Sequence, residues 1–268
     1  MAVVFECSDG IATVTLDRPT KLNAMDWATY GELTEAFREI ERDDDIRVGI
    51  LTGAGDRAFS AGADLKTMHG PTGEAEQPPT WRPWSPDRWD FGATTTKPLV
   101  AAVNGYALAG GLELALVCDI RIASTTAQFG TPEVKWDLLH GYGAYRLPQI
   151  VGLSHAMDLL LTGSFIDAAT ALRIGLVSRV VEPEDLMPTA YEIARTVAGN
   201  GPTAVRMTKD LVQRGLELPL ENYLRLLRMY YDRIDASEDQ REGLRAFAER
   251  RPPAYPTGTS TAPTSTSQ

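Results

Sequence analysis

Cysteine is scarce in this chain of 268 residues: only Cys7 and Cys118 occur, too few for a disulfide framework. Cys118 lies in an apolar context and reads as a small core residue. Histidine is scarce too. His69, His140 and His155 lack the spacing of a metal motif such as H-E-x-x-H, so no metal site is expected. No apolar run approaches the ~20 residues that span a bilayer, and Met1–Gly10 lacks the basic start and apolar stretch of a signal peptide. A reducing cytoplasm is the expected location. Positive charge is in deficit, with a net charge of −10. That disfavours a general nucleic-acid surface and leaves local anion sites open. No G-x-S-x-G elbow is present, which argues against a serine hydrolase.

What is present is ordinary for a globular chain: 43% hydrophobic and 23% charged residues. Val3–Cys7 and Ile11–Leu16 alternate around Asp9-Gly10, the pattern of a hairpin. Asp26 reads as an N-cap, and Tyr30, Leu33, Phe37 and Ile40 give the next segment one apolar stripe at helical spacing. Val48–Thr52 and Leu99–Val103 are continuous apolar runs, as in strands buried on both faces. Gly53-Ala54-Gly55-Asp56-Arg57-Ala58 imitates a dinucleotide fingerprint, but Phe59–Asp64 intervenes before any helix, and the fingerprint is rejected. From Ser154 onward helices are expected, with a break at Ala198–Pro202. The whole is an α/β chain.

The richest stretch runs from Lys97 to Glu133. Gly110-Gly111 opens a helix at Leu112–Val117, where free N–H groups meet the positive end of the helix dipole. Gly110 is therefore a candidate donor to an oxyanion. Glu113, one turn into an apolar helix, either complements the helix start or is held for chemistry. Glu133, after Thr131-Pro132, is a second candidate acid or a surface residue. Trp81, Trp84, Trp89 and Phe91 follow a turn-rich segment and either pack it onto the body or wall an apolar pocket.

Taken in order, several motifs resemble the enoyl-CoA hydratase/isomerase (crotonase) family from about Gly10 to Tyr255. They are Leu16-Asp17-Arg18-Pro19 with Leu22-Asn23-Ala24, Ala58–Lys66, Lys97-Pro98 with Asn104–Ala107, Gly110–Leu114, Phe129–Glu133, and Glu242-Gly243 with Ala246-Phe247. The resemblance implies a crotonase-like spiral of ββα units over residues 1–198. It further implies a helical trimerisation region over 199–250, giving a homotrimer or homohexamer, and leaves a flexible tail over 251–268. It implies an acyl-CoA thioester substrate, with CoA part of the substrate and no separate cofactor. Ala63 and Gly110 would supply the oxyanion-hole N–H groups, Glu113 and Glu133 the catalytic carboxylates, and Gly141 the turn beside them. Lys21, Asn23, Ala24, Ala61, Asp64, Leu65 and Lys66 fall where the family holds the nucleotide end of CoA. Tyr142, with Trp84 and Trp89, is assigned to an acyl pocket. The chain departs from the family's usual loop at His140 and Tyr142, both bulky. Retention of both acids favours hydration of a 2-enoyl-CoA, with double-bond isomerisation, another crotonase-type lyase or hydrolase, or a silent acyl-CoA-binding oligomer as alternatives.

Overall fold

A short antiparallel hairpin starts the fold. β1 (Val3–Ser8) pairs with β2 (Ile11–Leu16). Asp9 and Gly10 both take positive φ at its tip, as a two-residue turn of matching twist requires. These coordinates come from a computed structural model, which describes residues 1–69 and 94–255. Trp84 and Trp89 lie outside the described residues.

Behind the hairpin, α1 (Trp27–Arg42) begins where Asp26 accepts the Thr29 N–H at 3.0 Å. Its expected stripe is the buried one: Leu33, Phe37 and Ile40 are fully enclosed, with Tyr30 half-buried beside them. β3 (Val48–Gly53) and β5 (Leu99–Val103) are buried at every residue, and side-chain alternation explains why both runs are continuously apolar. Val48, Ile50, Val100 and Ala102 face α6 (Leu186–Ala198), which answers with Leu186, Ala190, Ile193 and Ala194. Leu51, Leu99, Ala101 and Val103 face the main core on the other side.

The remaining strands are β4 (Ala58–Ser60), β6 (Tyr106–Leu108), β7 (Ile120–Ser124), β8 (Gln128–Gly130), β9 (Phe165–Asp167) and β10 (Arg179–Val181). They resolve into two sheets, ordered β1-β2-β3-β5-β7-β10 and β4-β6-β8-β9. β3, β5 and β7 lie parallel and adjacent in the first sheet, and β4, β6 and β8 in the second. Each successive pair is followed by helical structure: α2 (Leu65–His69) after β4, α3 (Gly110–Val117) after β6, and a 3-10 turn (Pro132–Trp136) after β8. The chain thus repeats one ββα turn and moves over by one strand each time, which is the crotonase-like spiral implied by the motifs. The glycine pattern at Gly53–Ala58 opens into β4 and not into a helix.

The helix expected from Ser154 is present, and another helical segment precedes it: α4 (Gly141–Thr162) is two helices joined across a break at Gly152, where φ is 77° and ψ 159°. Pro148 and the glycines hide its first half from a propensity reading. The tail expected to be free from residue 251 is tied down as far as Tyr255. Arg251 pairs with Glu242 at 2.6 Å, the Ala254 N–H donates to Glu242 at 2.8 Å, and Arg47 donates to the Tyr255 carbonyl at 3.0 Å.

α5 (Ala168–Arg173) packs on β9 and β10. α7 (Pro202–Gly215) attaches through buried Met207 and through Lys209, whose ammonium meets Asp119 and the Lys97 carbonyl, both at 2.8 Å. α8 (Leu220–Asp235) buries no residue within the single chain, and α9 (Glu238–Glu249) follows it.

Candidate active site

The site forms where successive turns of the spiral meet. After β4 the backbone turns at Ala61-Gly62-Ala63, and Gly62 holds φ at 88°. A Cβ there would sit 2.9 Å from both the Gly110 nitrogen and the Ala109 Cβ. The turn after β4 and the start of α3 are therefore in direct contact, and only glycine allows it. Ala109, just before the helix, is held at φ 51° and ψ −128°, a strained conformation for a residue with a side chain. No hydrogen bond from the N–H of Ala63 or Gly110 is present among the described residues. Two backbone donors from two turns are left open beside each other.

The loop at Leu22–Met25 braces the first of these donors. Met25 N–H donates to Gly62 O and Asp64 N–H to Met25 O, both at 2.8 Å, and Ala61 N–H reaches Leu22 O at 3.0 Å. Lys21, Asn23, Ala24, Ala61, Asp64, Leu65 and Lys66 are thereby gathered in one place. Lys66 and Leu65 are exposed, and the Lys21 side chain is half open. Asn23 and Asp64 are different. The Asn23 side chain is enclosed and fully used, accepting from Arg18 N and donating to the carbonyls of Ala54 and Ala58. Asp64 is buried against Lys21 at 2.9 Å and Arg18 at 3.1 Å. Burial works to raise its carboxyl pKa, but the bonds from Lys21 and Thr67 and the Lys21 charge overcome this and hold it at about 2. Both side chains organise the loop, and neither is presented for a ligand to grip.

α3 carries Glu113 one turn past the open N–H of Gly110. Its side chain is buried, and Oε1 accepts the Gly143 N–H at 3.2 Å. Burial raises its carboxyl pKa, and the Glu133 charge adds to that. His140 and the N–H groups of Gly143 and Tyr142 oppose it without reversing it. Gly141 borders the same oxygen, since a Cβ there would lie 3.6 Å from Glu113 Oε1.

Glu133 is held by the 3-10 turn, which is anchored where the Thr131 hydroxyl donates to Leu159 O at 2.7 Å. Its Oε1 lies 2.5 Å from His140 Nδ1, while Oε2 is buried without a hydrogen-bond partner among the described residues. Glu113, Glu133, Gly110, Ala63 and Gly141 thus belong to one region. The Tyr142 ring packs against the main core, 6.4 Å from the Tyr145 ring.

Two features escaped the sequence reading. Arg18 links Asp26, Asp64 and the Ala24 carbonyl into one cluster. His140 stood out only as bulky, yet it is the partner of Glu133. A histidine a short loop after the second acid was the available signal. No group of His, Cys, Asp and Glu able to hold a metal ion occurs among the described residues. Open backbone donors next to one buried and one partly buried acid can stabilise a developing oxyanion and move protons beside it.

Comparison with known proteins agrees with this chemistry. A family model described as enoyl-CoA hydratase/isomerase matches residues 6–258. The chain is 42% identical to the (E)-benzylidenesuccinyl-CoA hydratase of Thauera aromatica, over 95% of this chain and 99% of that one. It is 40% identical to the short-chain-enoyl-CoA hydratase of Clostridium acetobutylicum, over 93% and 95%. The crystal structure of enoyl-CoA hydratase EchA1 from Mycobacterium marinum superposes with a TM-score of 0.87 at 36% identity, covering 96% of this chain and 99% of the other. By motif order, spiral topology and near-complete coverage, the chain belongs to the enoyl-CoA hydratase/isomerase family.

Proposed function

We propose that the protein is an enoyl-CoA hydratase, adding water across the double bond of a 2-enoyl-CoA thioester. The supporting observation is the geometry of the two acids. Each has one oxygen anchored, Glu113 by Gly143 N–H and Glu133 by His140, beside a pair of unengaged N–H donors. In this reading the thioester oxygen sits between the N–H groups of Ala63 and Gly110. As water attacks Cβ the oxygen gains charge, and each donor contributes about 2.7–4 kcal/mol to the transition state. Glu113 and Glu133 hold the water. The hydroxyl goes to Cβ, and Glu133 delivers the proton to Cα. Lys21 and Lys66 face the phosphates of CoA from the loop edge, with Ala24, Ala61 and Leu65 lining the approach. The reaction needs no cofactor, because CoA arrives as part of the substrate.

The assembly we infer is a homotrimer or homohexamer built through the C-terminal helices of 199–250. Leu220 and Met229 of α8 are 70% and 65% exposed in the single chain, more apolar surface than an isolated helix leaves in water. A cytoplasmic location fits two unpaired cysteines, one exposed and one buried. No helix among the described residues is long and apolar enough to cross a membrane.

The test is crotonyl-CoA with purified protein in H2-18O, following the enoyl-thioester absorbance and the product mass. Loss of absorbance with one labelled oxygen incorporated is expected. Turnover of a 3-enoyl-CoA with no water incorporated would replace the hydratase by an isomerase.

A further inference from the structure

His140 is enclosed more completely than either acid, with its side chain 2% exposed. One edge of the ring, at Nδ1, meets Glu133 Oε1 at 2.5 Å. The opposite edge fills the space where a side chain on Gly143 would begin: a Cβ there would lie 2.0 Å from both Cδ2 and Nε2. Nε2 itself is buried without a partner among the described residues. Gly143 is also the residue whose N–H anchors Glu113. One imidazole is therefore wedged between the carboxylate of the 3-10 turn and the helix start that orients the carboxylate of α3.

Hydrogen bonding settles the tautomer. An ionised Glu133 can only accept, so Nδ1 carries the hydrogen that meets Oε1. The titratable groups facing the ring are Glu133 and Glu113. Oε1 of Glu133 is occupied by the ring, and Oε2 is buried without a partner among the described residues.

We propose that His140 is a positioning residue for hydration: Nδ1 fixes the Glu133 carboxylate through Oε1, and the ring's contact with Gly143 locks that orientation to the turn holding Glu113. This rests on the hydratase reading of Glu133 and adds to it a third side chain that touches no substrate. It also makes glycine at position 143 a requirement of histidine at position 140.

The experiment compares crotonyl-CoA hydration by the full-length wild type, His140→Ala, His140→Asn, Glu133→Gln and the double variant His140→Ala with Glu133→Gln. His140→Ala should lower kcat by roughly 10- to 100-fold while KM stays within about 3-fold, since only proton-transfer geometry is lost. The amide N–H of His140→Asn can donate to the same oxygen and should return most of that rate. It should also remove from the pH–rate profile any limb belonging to an imidazole. In the double variant the two losses should not multiply, because one residue acts through the other. Full additivity, or a His140→Ala enzyme as fast as wild type while Glu133→Gln is dead, would overturn the proposal. An active Glu133→Gln enzyme would instead overturn the hydratase reading itself. Should His140→Ala fail to fold, the 15N spectrum of the wild-type imidazole decides: hydrogen on Nδ1 supports the proposal, and hydrogen on Nε2 sinks it.

Discussion

Asp64 and Glu113 are both buried carboxylates a few residues beyond a glycine turn, and their surroundings are opposite. Asp64 is met by two cations and by the Thr67 N–H, and its pKa is held at about 2. Glu113 is met by a neighbouring acid and backbone N–H groups, with no cation of fixed charge, and its pKa is raised, chiefly by burial. The protein has the means to neutralise a buried acid and does so at Asp64. At Glu113 it does not. An acid left short of partners inside a fold costs stability, and such sites are where proton chemistry is expected. The comparison separates a carboxylate that holds the loop from the one proposed to carry the chemistry.

The largest expected effect strikes the reactive side only. Glu113→Gln and Glu133→Gln should each lower crotonyl-CoA hydration by about 10²–10⁴-fold while circular dichroism stays native. Equal losses from Asp64→Asn would erase the distinction. Next comes Gly62→Ala, which joins both sides. The positive φ and the 2.9 Å approach to Gly110 and Ala109 predict a stability loss of about 1–3 kcal/mol in urea unfolding, with activity falling further because the donor pair is displaced.

Asp64→Asn should then cost about 2 kcal/mol at pH 7, from the displacement of its pKa from 3.8 to about 2. A depressed carboxyl pKa stabilises above its unfolded value and loses that contribution as pH falls toward the folded one. The gap between wild type and variant should therefore close between about pH 4 and pH 2. The smallest effect has the opposite sign. A raised pKa at Glu113 means the folded state holds its proton longer than the unfolded chain, so wild-type stability declines as pH climbs above the ordinary carboxyl range of about 4.3. Glu113→Gln should melt above wild type at pH 7, with the difference vanishing toward pH 4.

Much of this was legible in the residues, for identifiable reasons. Asp26 caps α1 because an aspartate side chain reaches the third N–H wherever a helix follows, and Leu33, Phe37 and Ile40 repeat at helical spacing. The β3 and β5 runs are apolar throughout because both faces are covered. Gly110 and Glu113 stood out as a glycine at a helix start and an acid in an apolar helix, while Glu133, which alone reads as a surface acid, entered through the family resemblance. The early half of α4 was hidden, since Gly141, Gly143, Pro148 and Gly152 all oppose a helix that tertiary contacts impose. The tether of Tyr255 depends on Arg47, distant along the chain, and no local pattern records it. The pairing of His140 with Glu133 was hidden for a related reason: whether a loop folds back on its own start is decided by what packs beneath it.

The spiral also carries a consequence for how the protein comes to be active. Ala63 follows β4, Gly110 and Glu113 follow β6, and Glu133 follows β8, so each turn of the spiral contributes one instalment of the site. β3, β5 and β7 must lie side by side before these instalments meet, and parallel pairing of that kind closes long loops before its contacts are rewarded. In the proposed site, a nascent chain emerging as far as α3 carries both donors but not the second acid. Turnover of substrate is thus a late reporter of assembly, sensitive to the last turn of the spiral even when the first is already native.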